Sequence, residues 1–252
     1  MSYKDKNTQS YNKGAQEWAA KVPTGAGHMY LEKPAMEKEL PPDLTGKSVL
    51  AIGVGSGYEL DEVFKRNPSR VVGIDTSGEL IKIASEKYPN AEFFVMDMMH
   101  MTFPDASFDC VYSSLAFHYS NDWDVLLAGV RQVLRKGGTL LFSTHNPNYW
   151  SSNPKTGNVH TNERGVTLTE HTGTLPAGNI DITYYNHPNE QSIRNSLLHA
   201  GFSIKSFFAP LVIELSEAQF SNLDEKEQTS YAKIKNKNLS SPLFLVAKCT
   251  LD

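Results

Sequence analysis

The sequence predicts an open α/β fold, a doubly wound and mostly parallel sheet with helices on both faces. Three observations lead to it. From Val49 to about Leu141, short apolar runs alternate with segments of helical spacing. The runs are apolar throughout, which suits strands covered on both faces of a parallel sheet. A glycine-rich turn, Gly53-Val54-Gly55-Ser56-Gly57, follows the first run directly. Repeated strand–helix units imply right-handed crossovers, and hence a doubly wound sheet.

Residues 1–44 stand outside that pattern and read as a helical lid. Tyr11, Ala15, Trp18 and Ala19 share one helical face, and Pro34 to Leu40 forms a short helix that Pro41-Pro42 ends. Residues 45–252 form the main domain. Its expected strands are Val49-Leu50-Ala51-Ile52, Val71-Val72-Gly73-Ile74, Phe93-Phe94-Val95-Met96, Cys110-Val111-Tyr112 and Leu140-Leu141-Phe142. The clearest helix starts after Asn121-Asp122, with Trp123, Leu126, Leu127, Val130, Val133 and Leu134 on one side. Arg135-Lys136 supply its basic last turn and Gly137-Gly138 its stop. Ser143 to Ile180 is rich in Asn, Thr, Gly, Pro and His with little periodicity, the mark of a cover or a mobile loop. A substrate-covering insertion is therefore expected around 149–185. A helix near Glu190–Ala200 closed by Gly201, a strand Phe202–Phe208, a charged helix near Asp224–Lys237 and a last strand Leu243–Ala247 complete the chain.

Composition narrows the function. With 252 residues, 40% hydrophobic and 21% charged, the chain has ordinary globular usage and enough apolar mass for a sizeable core. No run reaches the roughly 18–20 apolar residues that cross a bilayer, and the N-terminus lacks a signal-peptide pattern, so a cytoplasmic location is the default. The net charge of −4 and the lack of a Lys/Arg track speak against nucleic acid as substrate. Cys110 and Cys249 both lie in apolar runs and read as buried, inert thiols. His160, His171 and His187 show no metal-ligand spacing, and no metal is expected.

The glycine turn carries the functional argument. Its glycines permit a sharp reversal and close approach of a ligand to main-chain atoms. Asp75, at the end of the second strand, is placed to accept hydrogen bonds from ribose hydroxyls. Tyr58 stands where a dinucleotide fingerprint needs its last glycine, which disfavours NAD. Asp97 follows the third strand and can accept from an adenine amino group, with Met98 against the ring. Adenosine recognition without a pyrophosphate site suits a compact cationic cofactor.

On these residues the chain resembles the class I S-adenosylmethionine methyltransferases, especially small bacterial members acting on small molecules. Val49 to Gly57 is similar to their glycine motif, and Phe108-Asp109-Cys110-Val111 to their fourth strand. Ser113-Ser114-Leu115-Ala116-Phe117-His118-Tyr119 resembles the loop beside the methionine moiety. Val133 to Gly138 resembles the turn into the fifth strand, and Tyr30-Leu31-Glu32-Lys33-Pro34 the lid segment. The resemblance implies a Rossmann-like sheet of seven strands with the last antiparallel. It implies S-adenosyl-L-methionine as cofactor, held by Gly53, Val54, Gly55, Gly57, Asp75, Thr76, Asp97, Met98, Ser114 and Tyr30. One position departs: Ala51 stands two residues before the first glycine, where the family carries an acid, leaving Glu59 or a water to serve.

Methyl transfer needs acceptor, methyl carbon and sulfur nearly in line. A carboxylate acceptor needs no base, an amine need only be neutral, and a hydroxyl generally needs a base. His118 and His145 follow the fourth and fifth strands, at the edge where ligands bind in such sheets, and are the catalytic candidates. Their ordinary role would be to hydrogen-bond loop backbone. Tyr184-Tyr185 could line an aromatic acceptor pocket or serve the strand alone, and Tyr11 and Tyr30 could close over the cofactor or merely pack the lid. The expected function is methyl transfer to a small-molecule O or N acceptor. The alternative is a non-catalytic S-adenosylmethionine or adenosine-ligand binding protein, which Ala51 favours.

Overall fold

The computed structural model describes residues 3–150, 158–162, 165–175 and 177–252. Helix α1 (Tyr3–Lys21), a 3-10 turn (Val22–Thr24), a π-helical turn (His28–Glu32) and α2 (Lys33–Glu39) precede the sheet. Next come β1 (Ser48–Ile52), α3 (Leu60–Phe64), β2 (Arg70–Asp75), α4 (Gly78–Lys87), β3 (Glu92–Val95), β4 (Phe108–Ser113), α5 (Trp123–Val133) and β5 (Leu134–His145). A short helix α6 (Pro147–Trp150) leads to β6 (Val159–Thr161), β7 (Thr167–Leu175) and β8 (Ile180–Asn186). The chain ends with α7 (Glu190–His199), β9 (Phe202–Phe208), α8 (Glu217–Ser221), α9 (Glu225–Ser240) and β10 (Phe244–Leu251).

Seven strands form one sheet in the order β3-β2-β1-β4-β5-β10-β9. β1 pairs in parallel with β2 and β4, while β10 runs antiparallel to both β5 and β9. The expected antiparallel last strand is present. Side chains of β1 alternate between two cores: Leu50 and Ile52 pack with Trp123, Leu126 and Phe142, whereas Val49 and Ala51 pack with Met36, Leu60 and Val246. Both faces are therefore apolar and covered, as the continuous apolar run requires. On α5 the residues Trp123, Leu126, Leu127, Val130 and Val133 are buried, the stripe expected of a helix resting on a sheet. Asp122 caps that helix, its carboxylate accepting from the amides of Asp124 (3.0 Å) and Val125 (3.2 Å). Cys110 and Cys249 are buried thiols, both pushed up to about 12 by desolvation. Among the described residues no helix is long and apolar enough to cross a membrane.

Three local expectations need correction. β3 is an edge strand paired only with β2, so Phe94 and Val95 are 40% and 62% exposed rather than covered on both faces. Helix α5 stops at Val133, and Leu134 already pairs with Phe108. Arg135 to Gly138 then forms a bulged start of β5: the register jumps from Phe108↔Leu134 to Cys110↔Thr139, Gly137 takes φ 76°, and Arg135 bridges to Asp109. The third correction concerns Ser143–Ile180, which is largely regular. β6, β7 and β8 form an antiparallel three-stranded sheet whose buried residues include His171, Leu168 and Tyr184. The sheet escapes an apolar count because Thr, Glu and His fill most of β7. Residues 151–157, 163–164 and 176 of the expected cover lie outside the described residues.

This small sheet and α1 make one cover over the carboxyl edge of the main sheet. The Asn7 amide on α1 donates to the carbonyl of Thr183 and accepts from its amide, both at 2.8 Å, so it occupies backbone groups of β8 as a strand would. The amide of Asp181 donates to Ser10 Oγ at 2.8 Å. Gly14 permits this closeness, since a Cβ there would fall 2.7 Å from the carbonyl oxygen of Gly178. Replacing Asn7→Ala should cost about 1–2 kcal/mol, the worth of two buried hydrogen bonds. Hydrogen exchange at the Thr183 amide should accelerate, and unchanged exchange there would contradict the strap.

Candidate active site

Parallel strands bring the tips of β1, β2, β4 and β5 to one edge, and a cavity of about 630 Å³ opens there beneath the cover. The glycine turn leaves β1 with Gly53, Gly55 and Gly57 all at positive φ. At Gly55 a Cβ would meet nothing within 4 Å, so this main chain faces open cavity. At Gly53 a Cβ would collide with the Cβ of Ala116 at 2.3 Å, and the turn must be glycine to pass the loop after β4. Gly57 is different. It does not line the cavity, and its missing side chain makes room for Tyr88 at 3.0 Å.

Asp75 closes β2 and locks the turn. One carboxylate oxygen accepts from the Gly55 amide and the other from the Ser77 amide, each at 2.9 Å. Burial pushes the carboxyl up, while those amides hold it down. Two amides leave part of a carboxylate's acceptor capacity for a ligand. Asp97 follows β3 and lines the same cavity with Thr76, Met96, Met98 and Met99; its carboxylate accepts from the Met99 amide at 2.9 Å. Val54 and Ser114 also line the cavity.

Tyr30 does not. Its ring is buried edge-on against Tyr231 of α9, with 5.2 Å between centroids. The π-helical turn presents His28 to the cavity instead. His28 Nδ1 lies 3.1 Å from Glu32 Oε2, and its Nε2 lies 2.5 Å from Glu59 Oε1. Glu32 is fully buried and accepts from Ser114 Oγ (2.9 Å) and Ser143 Oγ (2.5 Å). Burial pulls the His28 imidazole down, but the two carboxylates overcome it and raise it to about 10. The donor atoms of all three side chains lie within 4.8 Å of one another. Sequence reasoning passed over His28 and Glu32, although their i, i+4 spacing was visible.

At the far end of the cavity His118 and His145 stack face to face, 3.7 Å between centroids and 11° between planes. Tyr184 meets His145 edge-on at 5.0 Å. Desolvation pulls His118 down to about 3 and His145 well below its ordinary value, so both are neutral at physiological pH. Among the described residues His118 Nδ1 is buried without a hydrogen-bond partner, and Asn186 hydrogen-bonds the His145 side chain. Tyr11 and Tyr119 join hydroxyl to hydroxyl at 2.6 Å, and burial raises both phenols. Leu115, just before this region, takes φ 47° and donates its amide to Ser143 Oγ at 2.9 Å, a strained turn at a cavity wall.

Comparison with known proteins agrees with this geometry. Residues 50–142 match the family model described as a methyltransferase domain. A structure of an S-adenosylmethionine-dependent methyltransferase from Mesorhizobium loti superposes with a TM-score of 0.65 at 26% identity, over 86% of this chain and 96% of that one. Residues 50–142 therefore carry an S-adenosylmethionine-dependent methyltransferase domain. An uncharacterised protein of Haemophilus influenzae is 29% identical over 205 residues, 73% of this chain and 78% of that protein. The malonyl-[acyl-carrier protein] O-methyltransferase of Hamiltonella defensa is 30% identical over 126 residues, only 47% of this chain and 48% of its own length. The cavity also fits the cofactor by its own lining: open main chain at Gly55, acceptor capacity on Asp75, and a thioether-lined wall.

The buried histidines give stability a pH signature. His118 and His187 are held down to about 3, and His145 is also lowered. Unfolding lets them take protons below about 6.5, so stability falls as pH drops from there. The raised carboxyls of Asp75 and Glu37 act in the opposite sense but are outnumbered. His28 works in the other window: its contribution is complete below pH 6.5 and drains away as pH climbs toward 10. Glu32, Glu59, Tyr112, Lys33 and the ring of Tyr58 are the charged or titratable groups around it. Thermal melts should therefore fall on both sides of neutrality, and His28→Gln should flatten only the alkaline arm. An unchanged alkaline arm would contradict the ion pairing.

Proposed function

We propose that this methyltransferase moves a methyl group to an oxygen acid of a small molecule, carried in the aromatic end of the cavity. The observation behind this reading is the charge of that end. His118, Tyr119, His145, Gly173, Thr174, Leu175, Ala177, Ile182 and Tyr184 line it, and none is Lys, Arg, Asp or Glu. The bound cofactor supplies an electrophilic methyl on a sulfonium. An anionic oxygen meeting that sulfonium in a low-dielectric pocket yields two neutral products, a change such surroundings favour. An amine acceptor would instead gather the positive charge among these uncharged side chains.

The histidines fit the same logic. An imidazole held near 3 is a poor proton acceptor, because its charged form is what burial penalises. A carboxylate acceptor asks for no base. His118 and His145 then act as neutral hydrogen-bonding groups that orient the acceptor, and the phenols of Tyr11 and Tyr119 stay protonated beside them. The cover, strapped by Asn7, stands over this end. Recognition of an O-methyltransferase among the relatives supports oxygen as acceptor. Ala51, which favoured a non-catalytic binder, is offset by Glu59 and Glu32 close by.

A panel of carboxylic acids, phenols and amines, incubated with methyl-labelled S-adenosylmethionine, tests the reading. Label should appear in methyl esters, with kcat flat between pH 6 and 8. Product confined to amines, or an inflection near 6.5, would contradict it. His118→Ala should lower kcat by about 10–100-fold through misplacement of the acceptor. Cofactor affinity should stay unchanged, and a loss of affinity without loss of kcat would reverse the assignment.

A further inference from the structure

The ion-paired cluster behind the glycine turn has no part in the acceptor chemistry, yet two of its members face the cavity. His28 and Glu59 line the wall, and Glu32 stands behind them, fully buried. Ala51 explains why the cluster lies there. It points no carboxylate from the tip of β1, and its partner in register on β4 is Tyr112. Tyr112 donates its hydroxyl to Glu59 at 3.2 Å, bringing a carboxylate from α3's approach into the space that Ala51 leaves. Glu32 reaches the same place from the π-helical turn, held by the hydroxyls of Ser114 and Ser143.

We propose that the His28–Glu59 ion pair is the receptor for the aminoacyl tail of the cofactor, the imidazolium taking its carboxylate and Glu59 its ammonium. This rests on the reading of the cavity as an S-adenosylmethionine site. The exchange conserves charge: one internal ion pair opens, and two new ones form with a zwitterion. Glu32 is the positioning residue. It keeps Nδ1 of His28 engaged, so that Nε2 alone is released toward the ligand. Two carboxyl side chains grouped around one imidazole suit a cofactor whose sulfonium makes it a net cation. The device also accounts for the tolerance of Ala51. The carboxylate function is supplied from the lid side, so a closed lid and a gripped tail become one event.

Isothermal titration of the full chain with S-adenosylhomocysteine and with 5′-methylthioadenosine, which lacks the tail, tests the proposal. The wild-type protein should prefer S-adenosylhomocysteine by about tenfold or more, the worth of a charge-assisted pair. His28→Ala and Glu59→Gln should each abolish that preference while leaving methylthioadenosine affinity intact, which also reports that the variants fold. Histidine side-chain NMR should show the His28 Nε2–H resonance shifting with S-adenosylhomocysteine and not with methylthioadenosine. Equal wild-type affinities, a preference that survives in both variants, or parallel weakening of both ligands would overturn the proposal. If the wild-type protein bound neither nucleoside, the adenosyl reading itself would fall.

Discussion

The hydrogen bond from the Gly55 amide to the Asp75 carboxylate is the constraint on which the site depends. It ties the turn leaving β1 to the tip of β2, so that two loops of opposite origin present one surface. The bond is possible because the two strands run parallel in adjacent positions, with Ile52 beside Ile74. Glycine is obligatory at Gly53 because Ala116 of the β4 loop crowds in from the other side. The turn is thus gripped between the tips of β2 and β4, and its amides are fixed before any ligand arrives. Such preorganisation lowers the cost of binding.

Strand order then decides what else can join. β4 and β5 stand on the other side of β1, so their tips carry Ser114, His118 and His145 to the end opposite Asp97. One cavity is consequently charged at the adenosine end, ion-paired at the lid, and neutral and aromatic at the far wall. Desolvation separates the histidines by role. His28, between two carboxylates, holds its proton, whereas His118 and His145, stacked on one another among aromatic rings, give theirs up.

The sequence was informative where local chemistry determines structure. The glycine turn, Asp75 at a strand tip, the Asp122 cap and the apolar stripe of α5 each announce themselves within a few residues, and each is found as expected. The antiparallel last strand followed from resemblance rather than from pattern. Legibility failed where tertiary partners decide. β7 escapes an apolar count because Thr, Glu and His fill most of it, and its burial does not alternate. Arg135 to Gly138 looks like a helix terminus, yet Leu134 is claimed by Phe108. Tyr30 looked like a cofactor lid, but it faces Tyr231 of α9, and His28 takes the cavity. No local signal distinguishes the two faces of that turn, since the choice depends on Glu59 and α9, which lie far away in the chain.

The account stands on a single adenosyl group held across neighbouring strand tips. Calorimetric titration of S-adenosylhomocysteine into the wild-type protein and Asp75→Ala measures this most directly. Binding by the wild type and a loss of about tenfold or more in the variant, the worth of hydrogen bonds to a charged group, is the predicted result. Equal affinity in both proteins, or no heat in either, would contradict it.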